Sequence, residues 1–372
     1  YYSALIGNEI AVALSGGMDS GTIAGFLHKI SGKKVNAISL SYNEKTDFDE
    51  SELIKCSVRD HVEDWVDLKL SPYDLLDDLS SLYQIFDIPI ATVSIYGYHY
   101  LLKECSKRGL RYIFTGAGGD YLQFGNYPCF LYYFADLKMF DKELCDKEIR
   151  FWIKNHSNSL YPKNFQTVED FFDKNIDFSF PGKLKEAENF LPTGNILDKD
   201  FYKFLGNVNS NTVESYGSYS RTYIVQELLY EAVAPGTLAE DVSDWQNGTS
   251  MISPFFSNDL IEFGWVIPPN EKIRNGVNKV HARESLKGVC SDEVLNRIDK
   301  SGFNAPFDFW IRNQINEFVM DIFSSHSFQN RNIYDLKKFN SILNSHMDGS
   351  KNHMMLFWQA LNLELWLQKW ID

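Results

Sequence analysis

The hexapeptide Ser15-Gly16-Gly17-Met18-Asp19-Ser20 constrains the fold more than any other segment. It follows an unbroken apolar run at residues 10–14. It precedes residues 22–30, where Ile23, Phe26, Leu27 and Ile30 recur at helical spacing. An apolar run of that kind reads as a strand covered on both faces, as in a buried parallel sheet. Strand, tight turn and helix in that order put the turn at the carboxyl edge of a sheet, where open α/β sheets bind ligands. Two glycines let the backbone come close to an anion, and the hydroxyls of Ser15 and Ser20 can donate to phosphate oxygens. The helix amino terminus adds partial positive charge. Asp19 repels a bare phosphate, but it makes sense with Mg²⁺ bridging carboxylate and phosphate. The plain alternative is an ordinary strand–turn–helix with Asp19 as a solvated first-turn acid.

Further along, residues 35–40 read as a second strand, and residues 49–62 as a helix with Leu53, Cys56 and Val58 inward. Residues 65–70 form a third short strand. Ser71-Pro72 predicts a helix start, with Ser71 as N-cap and Pro72 at the first position. Residues 94–105 are helical, and Tyr112–Phe114 is a fourth strand. Alternating strands and helices predict an α/β protein with a doubly wound parallel sheet. The nucleotide-binding core is expected over residues 1–130, and a mainly helical remainder over 131–372. Residues 181–210, with Pro181, Pro192 and several glycines and asparagines, read as loop or irregular structure. Helices dominate from Thr222, and residues 356–370 close the chain, with Phe357, Leu361, Leu365 and Leu367 among polar positions.

Two further segments carry chemistry. Thr115-Gly116-Ala117-Gly118-Gly119-Asp120 follows the fourth strand directly. It lacks the last glycine of a dinucleotide fingerprint, and no helix is expected to open there. Asp120 either completes a Mg²⁺ site with Asp19 or caps a glycine-rich turn. The third segment is Gly276-Val277-Asn278-Lys279, continuing through Arg283-Glu284, with Lys300-Ser301-Gly302-Phe303-Asn304-Ala305-Pro306 after it. Lys279 and Lys300 can neutralise a polyphosphate and a developing intermediate, or they are solvated surface lysines.

A net charge of −14 argues against nucleic acid as the main partner. Five scattered cysteines without a paired motif read as reduced thiols in a cytoplasmic protein, with no zinc site. No apolar run approaches a membrane span and no signal peptide opens the chain, so no membrane partner is expected.

The hexapeptide is not a Walker loop. It is similar to the pyrophosphate loop of ATP pyrophosphatases, a class that includes asparagine, GMP and NAD synthetases and tRNA-modifying enzymes. Together the segments resemble the synthetase domain of the asparagine synthetase family over nearly the whole chain. That family also includes β-lactam synthetases, carbapenam synthetase and lasso-peptide cyclases. The likeness is carried by residues 14–20, by residues 39–42 with Asp49-Glu50-Ser51, and by residues 115–120. Pro254-Phe255, residues 279–284, 300–306 and 361–367 complete it. The resemblance implies an adenine-nucleotide alpha-hydrolase-like fold using ATP and Mg²⁺. Ser15, Gly16, Gly17 and Ser20 would hold the pyrophosphate. Leu14, the backbone at Leu40, Thr115 and Gly116 would frame the nucleotide. Asp19 and Asp120 would ligate Mg²⁺, and Lys279 and Lys300 would act catalytically on the phosphates and the tetrahedral intermediate. The implied reaction activates a carboxylate as an acyl-adenylate, releases pyrophosphate, and lets ammonia or an amine attack.

The chain also departs from the family. Tyr1 opens it, and the family's glutaminase domain has no counterpart in it. A glutaminase or a precursor-peptide-binding partner chain is therefore expected, beside a small-molecule or peptide carboxylate. Ala117 stands where asparagine synthetases commonly have Glu and β-lactam synthetases Tyr. Ile252 and Ser257 stand where the family has Arg and Asp. Three readings compete with the plain synthetase. One is an intramolecular macrocyclase or lactam-forming enzyme, with a wide groove lined by the aromatics of residues 127–140. The others are a degenerate ATP-binding non-enzyme and a tRNA-modifying relative. For the catalytic base, Tyr121, Asp241 and Asp244 are chemically available. His281 reads as a surface or core histidine.

Overall fold

A computed structural model of the chain describes residues 9–44, 50–156, 163–185, 196–205, 214–230, 233–298 and 305–372. Five strands build one parallel sheet: β1 (Ile10–Ala13), β2 (Val35–Ser41), β3 (Val62–Lys69), β4 (Tyr112–Phe114) and β5 (Ser250–Ile252), in the order β3-β2-β1-β4-β5. The helices linked to the sheet are α1 (Met18–Ser31), α2 (Ser51–His61), α3 (Pro72–Phe86), α4 (Val93–Lys107), α5 (Gly119–Leu122) and α6 (Tyr127–Phe140). The α/β class, the parallel sheet and the helix-rich second half are as expected from the sequence.

β1 is apolar on both faces because both faces are covered. Ile10, Val12 and Leu14 pack with Ile23, Ala24 and Leu27 of α1 and Ile54 of α2. Ala11, on the other face, meets Leu101, Leu102 and Cys105 of α4. The chain builds outward from β1 in one direction through β2 and β3, and in the other through β4 and β5. The direction reverses between β1 and β4, and their carboxyl ends bound the crevice that such sheets use for ligands.

Several boundaries differ from the sequence reading. α1 begins at Met18, four residues early, because Gly17 is extended (φ −84°, ψ 153°) and the helix follows at once. In α2 the fully buried residues are Ile54 and Ser57, while Leu53, Cys56 and Val58 are half-buried. A short helix, α5, does open after the second glycine motif. β5 was missed: three residues between a glycine and a proline are too few to show a period. Within 181–210, Lys199–Leu205 is helical, and residues 186–195 and 206–210 lie outside the described residues. Ser71 caps α3 as expected, through a reciprocal box with Asp74.

Of the six aromatics of residues 127–140, Tyr127 is half-buried and Phe140 exposed, and the other four are core rather than the lining of a groove. Phe130, Tyr132, Tyr133 and Phe134 are buried in a second core with Trp152, Phe172 and Tyr219. Asp136 fastens this helix to Tyr219–Leu229 by accepting the N–H groups of Tyr219 (2.6 Å) and Ser220 (3.1 Å). A third core joins α3 to the closing helix Met354–Trp370 through Leu79, Leu82, Trp310, Phe339, Phe357 and Trp358. All five cysteines are free thiols. No helix among the described residues is long and apolar enough to cross a membrane.

Candidate active site

At the crevice, three segments far apart in sequence meet. Asp19 lies in the first turn of α1, Asp120 in α5, and Lys279 just before the short helix Val280–Ser285. Lys279 Nζ lies 2.7 and 2.5 Å from the two carboxylate oxygens of Asp19, and 2.7 Å from Asp120 Oδ1. Asp19 is 8 % exposed and Lys279 4 %. Neither is a solvated surface charge, which removes the plain alternative for both.

Lys279 has φ +55°, the left-handed region. A non-glycine residue there costs about 1 kcal/mol or more, so the surrounding structure must hold it in place. Part of that hold comes from Asn278, whose side-chain Nδ2 donates to the Gly125 carbonyl (3.0 Å). The loop around Asp120 is packed so closely that side chains are excluded. A Cβ at Gly119 would come 2.5 Å from Asp19 Cγ. One at Gly125 would come 2.1 Å from Asp120 Oδ1 and 2.2 Å from Lys279 Cε. Sequence reading missed Gly125, which stands outside the glycine motif.

The first loop is tied internally. Ser15 and Ser20 hydroxyls lie 3.0 Å apart, and Ser20 Oγ accepts the Ser15 N–H (3.1 Å). Ser15 Oγ accepts the Gly17 N–H (3.2 Å). The Gly16 N–H donates to Glu50 Oε2 (3.1 Å), and Glu50 Oε1 is 2.5 Å from Arg297 Nη1. The Arg297 carbonyl accepts from Arg283 (2.7 Å), which also donates to the Asn278 carbonyl (2.8 Å). A continuous polar chain therefore links the first loop to Lys279. Glu50 and Arg283 were visible in the sequence only as members of family-like segments, without this role, and Arg297 was not noted at all, because no local pattern marks residues that support a loop from a distance.

Leu14 is buried, and its N–H closes on the Ile38 carbonyl at 2.9 Å. Leu40 is buried on β2 beside it. Thr115 Oγ1 lies 3.0 Å from Ser253 Oγ and accepts the Ala117 N–H (3.2 Å). Gly116 packs on the backbone of Asp19 and Ser20. These four sit with the loops on either side of the switch point. Lys300 lies outside the described residues.

Of the candidate bases, Asp244 is structural. Its oxygens accept from the Thr249 hydroxyl (2.6 Å) and the Met251 N–H (2.5 Å) at the amino end of β5, away from the crevice. Glu240, not considered in the sequence, is the more notable group. Burial, then the charges of Asp244 and Asp241, push its carboxyl up to about 7. The phenols of Tyr98 and Tyr121 each feel both Glu240 and Asp120, and burial pushes both phenols up. A carboxyl of that pKa is suited to exchanging protons near neutrality. Its position on Val233–Asn247, a helix with no motif, hid it from sequence reading.

One ammonium between two carboxylates is the arrangement of a cation site. One oxygen of Asp19 and one of Asp120 each lie within 2.7 Å of Lys279 Nζ, so a Mg²⁺ in the place of the ammonium would face a carboxylate on both sides. Among the described residues no group of three or more His, Cys, Asp or Glu is placed to hold a metal, so the remaining ligands would come from phosphate and water.

The chain matches the asparagine synthase family model over residues 7–368. It is 22 % identical over 369 residues to asparagine synthetase [glutamine-hydrolyzing] 1 of Bacillus subtilis (strain 168). That likeness covers 95 % of this chain and 55 % of the relative, so the chain spans about half the relative's length. With a match of that extent and a site assembled from the same segments that carried the resemblance, the chain belongs to the asparagine synthase family.

Proposed function

We propose that the chain is an ATP-dependent ligase that forms a carbon–nitrogen bond by activating a carboxylate as an acyl-adenylate. The observation that supports this most is the convergence of Asp19, Asp120 and Lys279 on one cation position at the topological switch point. Ser15, Gly16, Gly17 and Ser20 receive the β- and γ-phosphates at the amino terminus of α1. Their present bonds to one another and to Glu50 are the bonds they exchange for phosphate oxygens. Leu14, Leu40, Thr115 and Gly116 frame the nucleoside. Asp19 and Asp120 would hold Mg²⁺, which when bound supplies charge neutralisation on the departing pyrophosphate. Lys279, displaced from between them, neutralises the charge that grows on the phosphates as the carboxylate oxygen attacks the α-phosphorus and pyrophosphate leaves. Lys300 would face the phosphates and the tetrahedral intermediate of the second step. Glu240, as carboxylate, takes the proton from the attacking ammonia or amine.

The relative's printed name describes asparagine synthesis with glutamine hydrolysis. We therefore propose aspartate as acceptor, with ammonia free or delivered by a glutaminase partner. A second reading is an amine carried by the substrate itself. Ala117 favours it, because it leaves open the place where the family commonly puts a Glu or Tyr side chain. The test is to incubate the chain with ATP, Mg²⁺, aspartate and ammonium and to measure AMP, pyrophosphate and asparagine. Asparagine formed with stoichiometric AMP, and lost in Asp19→Ala, supports the first reading. ATP and Mg²⁺ binding without turnover sinks aspartate and moves the assignment to a peptide bearing its own amine. Failure to bind ATP would leave a non-enzyme.

A further inference from the structure

Behind the candidate site lies a cavity of about 410 Å³ that the proposed reaction does not use; it opens to the surface, with Phe26, Ile30 and Phe263 exposed at its mouth. Its walls come from α1, the turn at Pro254-Phe255, and the helices Asn258–Val266 and Val280–Ser285. Ile23, Leu27, Leu122, Phe255, Phe263 and Leu286 give it an apolar surface. In a chain with 23 % charged residues, no Asp, Glu, Lys or Arg lines it. A volume of this order suits a small molecule, and walls without charge disfavour an ion.

The polar residues of its lining are Thr22, Gln123, His281 and Ser285, of which Thr22 and Gln123 are buried. Gln123 is 9 % exposed, and its Oε1 has no hydrogen-bond partner among the described residues. An orphan buried acceptor costs free energy unless something donates to it. His281 also lines the cavity, its Nδ1 lying 3.3 Å from the Glu271 carbonyl, and burial lowers its pKa, which favours the neutral ring.

The position of the cavity matters as much as its chemistry. Thr22 lies three residues after Asp19, Gln123 three after Asp120, and Ala282 three after Lys279. The three segments that carry the site's charges each line the cavity about one helical turn further on. Filling it must push on, or stiffen, all three together.

We propose that this cavity binds an uncharged, mainly apolar small molecule with one N–H or O–H group that donates to Gln123 Oε1, and that its occupancy changes the affinity of the neighbouring site for ATP. The second half rests on the proposed nucleotide reading of that site, and the first half does not.

The test uses N-phenyl-1-naphthylamine, a neutral fluorophore with one N–H, and 1-benzylnaphthalene, which has CH₂ in its place. The amine should bind saturably, with one site per chain, and the carbon isostere about tenfold more weakly. Gln123→Leu should abolish that preference. Ser285→Trp, at an exposed rim position, should block both probes with little change in melting temperature. Equal affinity of the two probes for the wild type, or probe binding unaffected by Ser285→Trp, overturns the site. So does sedimentation showing a dimer that Ser285→Trp dissociates, since the occupant is then a second copy. Bound Mg-ATP should shift the amine's affinity at least about threefold, and the probe should shift ATP affinity by the same factor. Independent binding of both overturns the regulatory half. A chain that binds the probe but not ATP counts against the proposed function and not against the cavity.

Discussion

Gly125 owes its lack of a side chain to Asp120 and Lys279, which fill the space a Cβ would take. Gly125→Ala should therefore displace the Lys279–Asp120 pair while the cores stay intact. The expected result is AMP formation reduced at least about a hundredfold, with far-UV circular dichroism like that of the wild type. Glu240 allows a sharper test. Its carboxyl is held up to about 7, and only the ionised form can accept a proton. The kcat/KM for amide formation should rise with pH through about 7 and level off above it. Glu240→Gln should remove that limb and lower the plateau by roughly 10²–10⁴-fold. A retained limb in the variant would assign the titration to another group. At this scale, legibility followed locality. Asp19, Asp120 and Lys279 were visible because each sits beside a glycine turn whose purpose can be reasoned out. Glu240 and Arg297 were not, and Glu50 was noted without its role, because each acts on a partner across the fold.

The elements were read well where local signals are strong. Ser71 and Pro72 announced α3, and the capping box they open with Asp74 is present. Ser71→Ala should cost about 1 kcal/mol of stability by denaturant titration, with Mg-ATP binding unchanged, since α3 bears no site residue. β1 was clear as an apolar run before a turn, and β2 and β4 were placed as strands between helices. Short elements were not: α5 has four residues and β5 three, and such lengths carry no period. α6 illustrates a different limit. Its crowd of aromatics fits a ligand groove or an all-round buried helix equally well as composition. Burial on nearly every side, with Asp136 tied to the helix Tyr219–Leu229, makes it core.

For the whole molecule, the pH response of stability turns on a residue far from the chemistry. His346 is fully buried against Phe357, and its Nδ1 accepts the His353 N–H at 3.0 Å. Burial, then Arg312 and His353, lower its pKa to about 4. A histidine depressed in the folded state binds fewer protons there than in the unfolded chain. Its contribution is complete above about 6.5 and is lost as pH falls toward 4, amounting to on the order of 3 kcal/mol. His346→Gln keeps an acceptor for the His353 N–H. The loss of melting temperature between pH 7 and pH 4.5 should be smaller in that variant than in the wild type. An equal loss would place the acid response elsewhere. The same scale separates what each level of description decided. Sequence alone determined the parallel α/β class, the two glycine loops at strand ends and the charged residues beside them. Those depend on local propensity, periodicity and the absence of a Cβ, all properties of contiguous residues. Only the tertiary structure decided that Lys279 sits between Asp19 and Asp120, that Tyr98 and Tyr121 lie near both Glu240 and Asp120, and that one apolar pocket touches all three site segments. Those depend on strand order and helix packing, which bring together residues hundreds of positions apart by burying apolar faces that no single segment can cover alone.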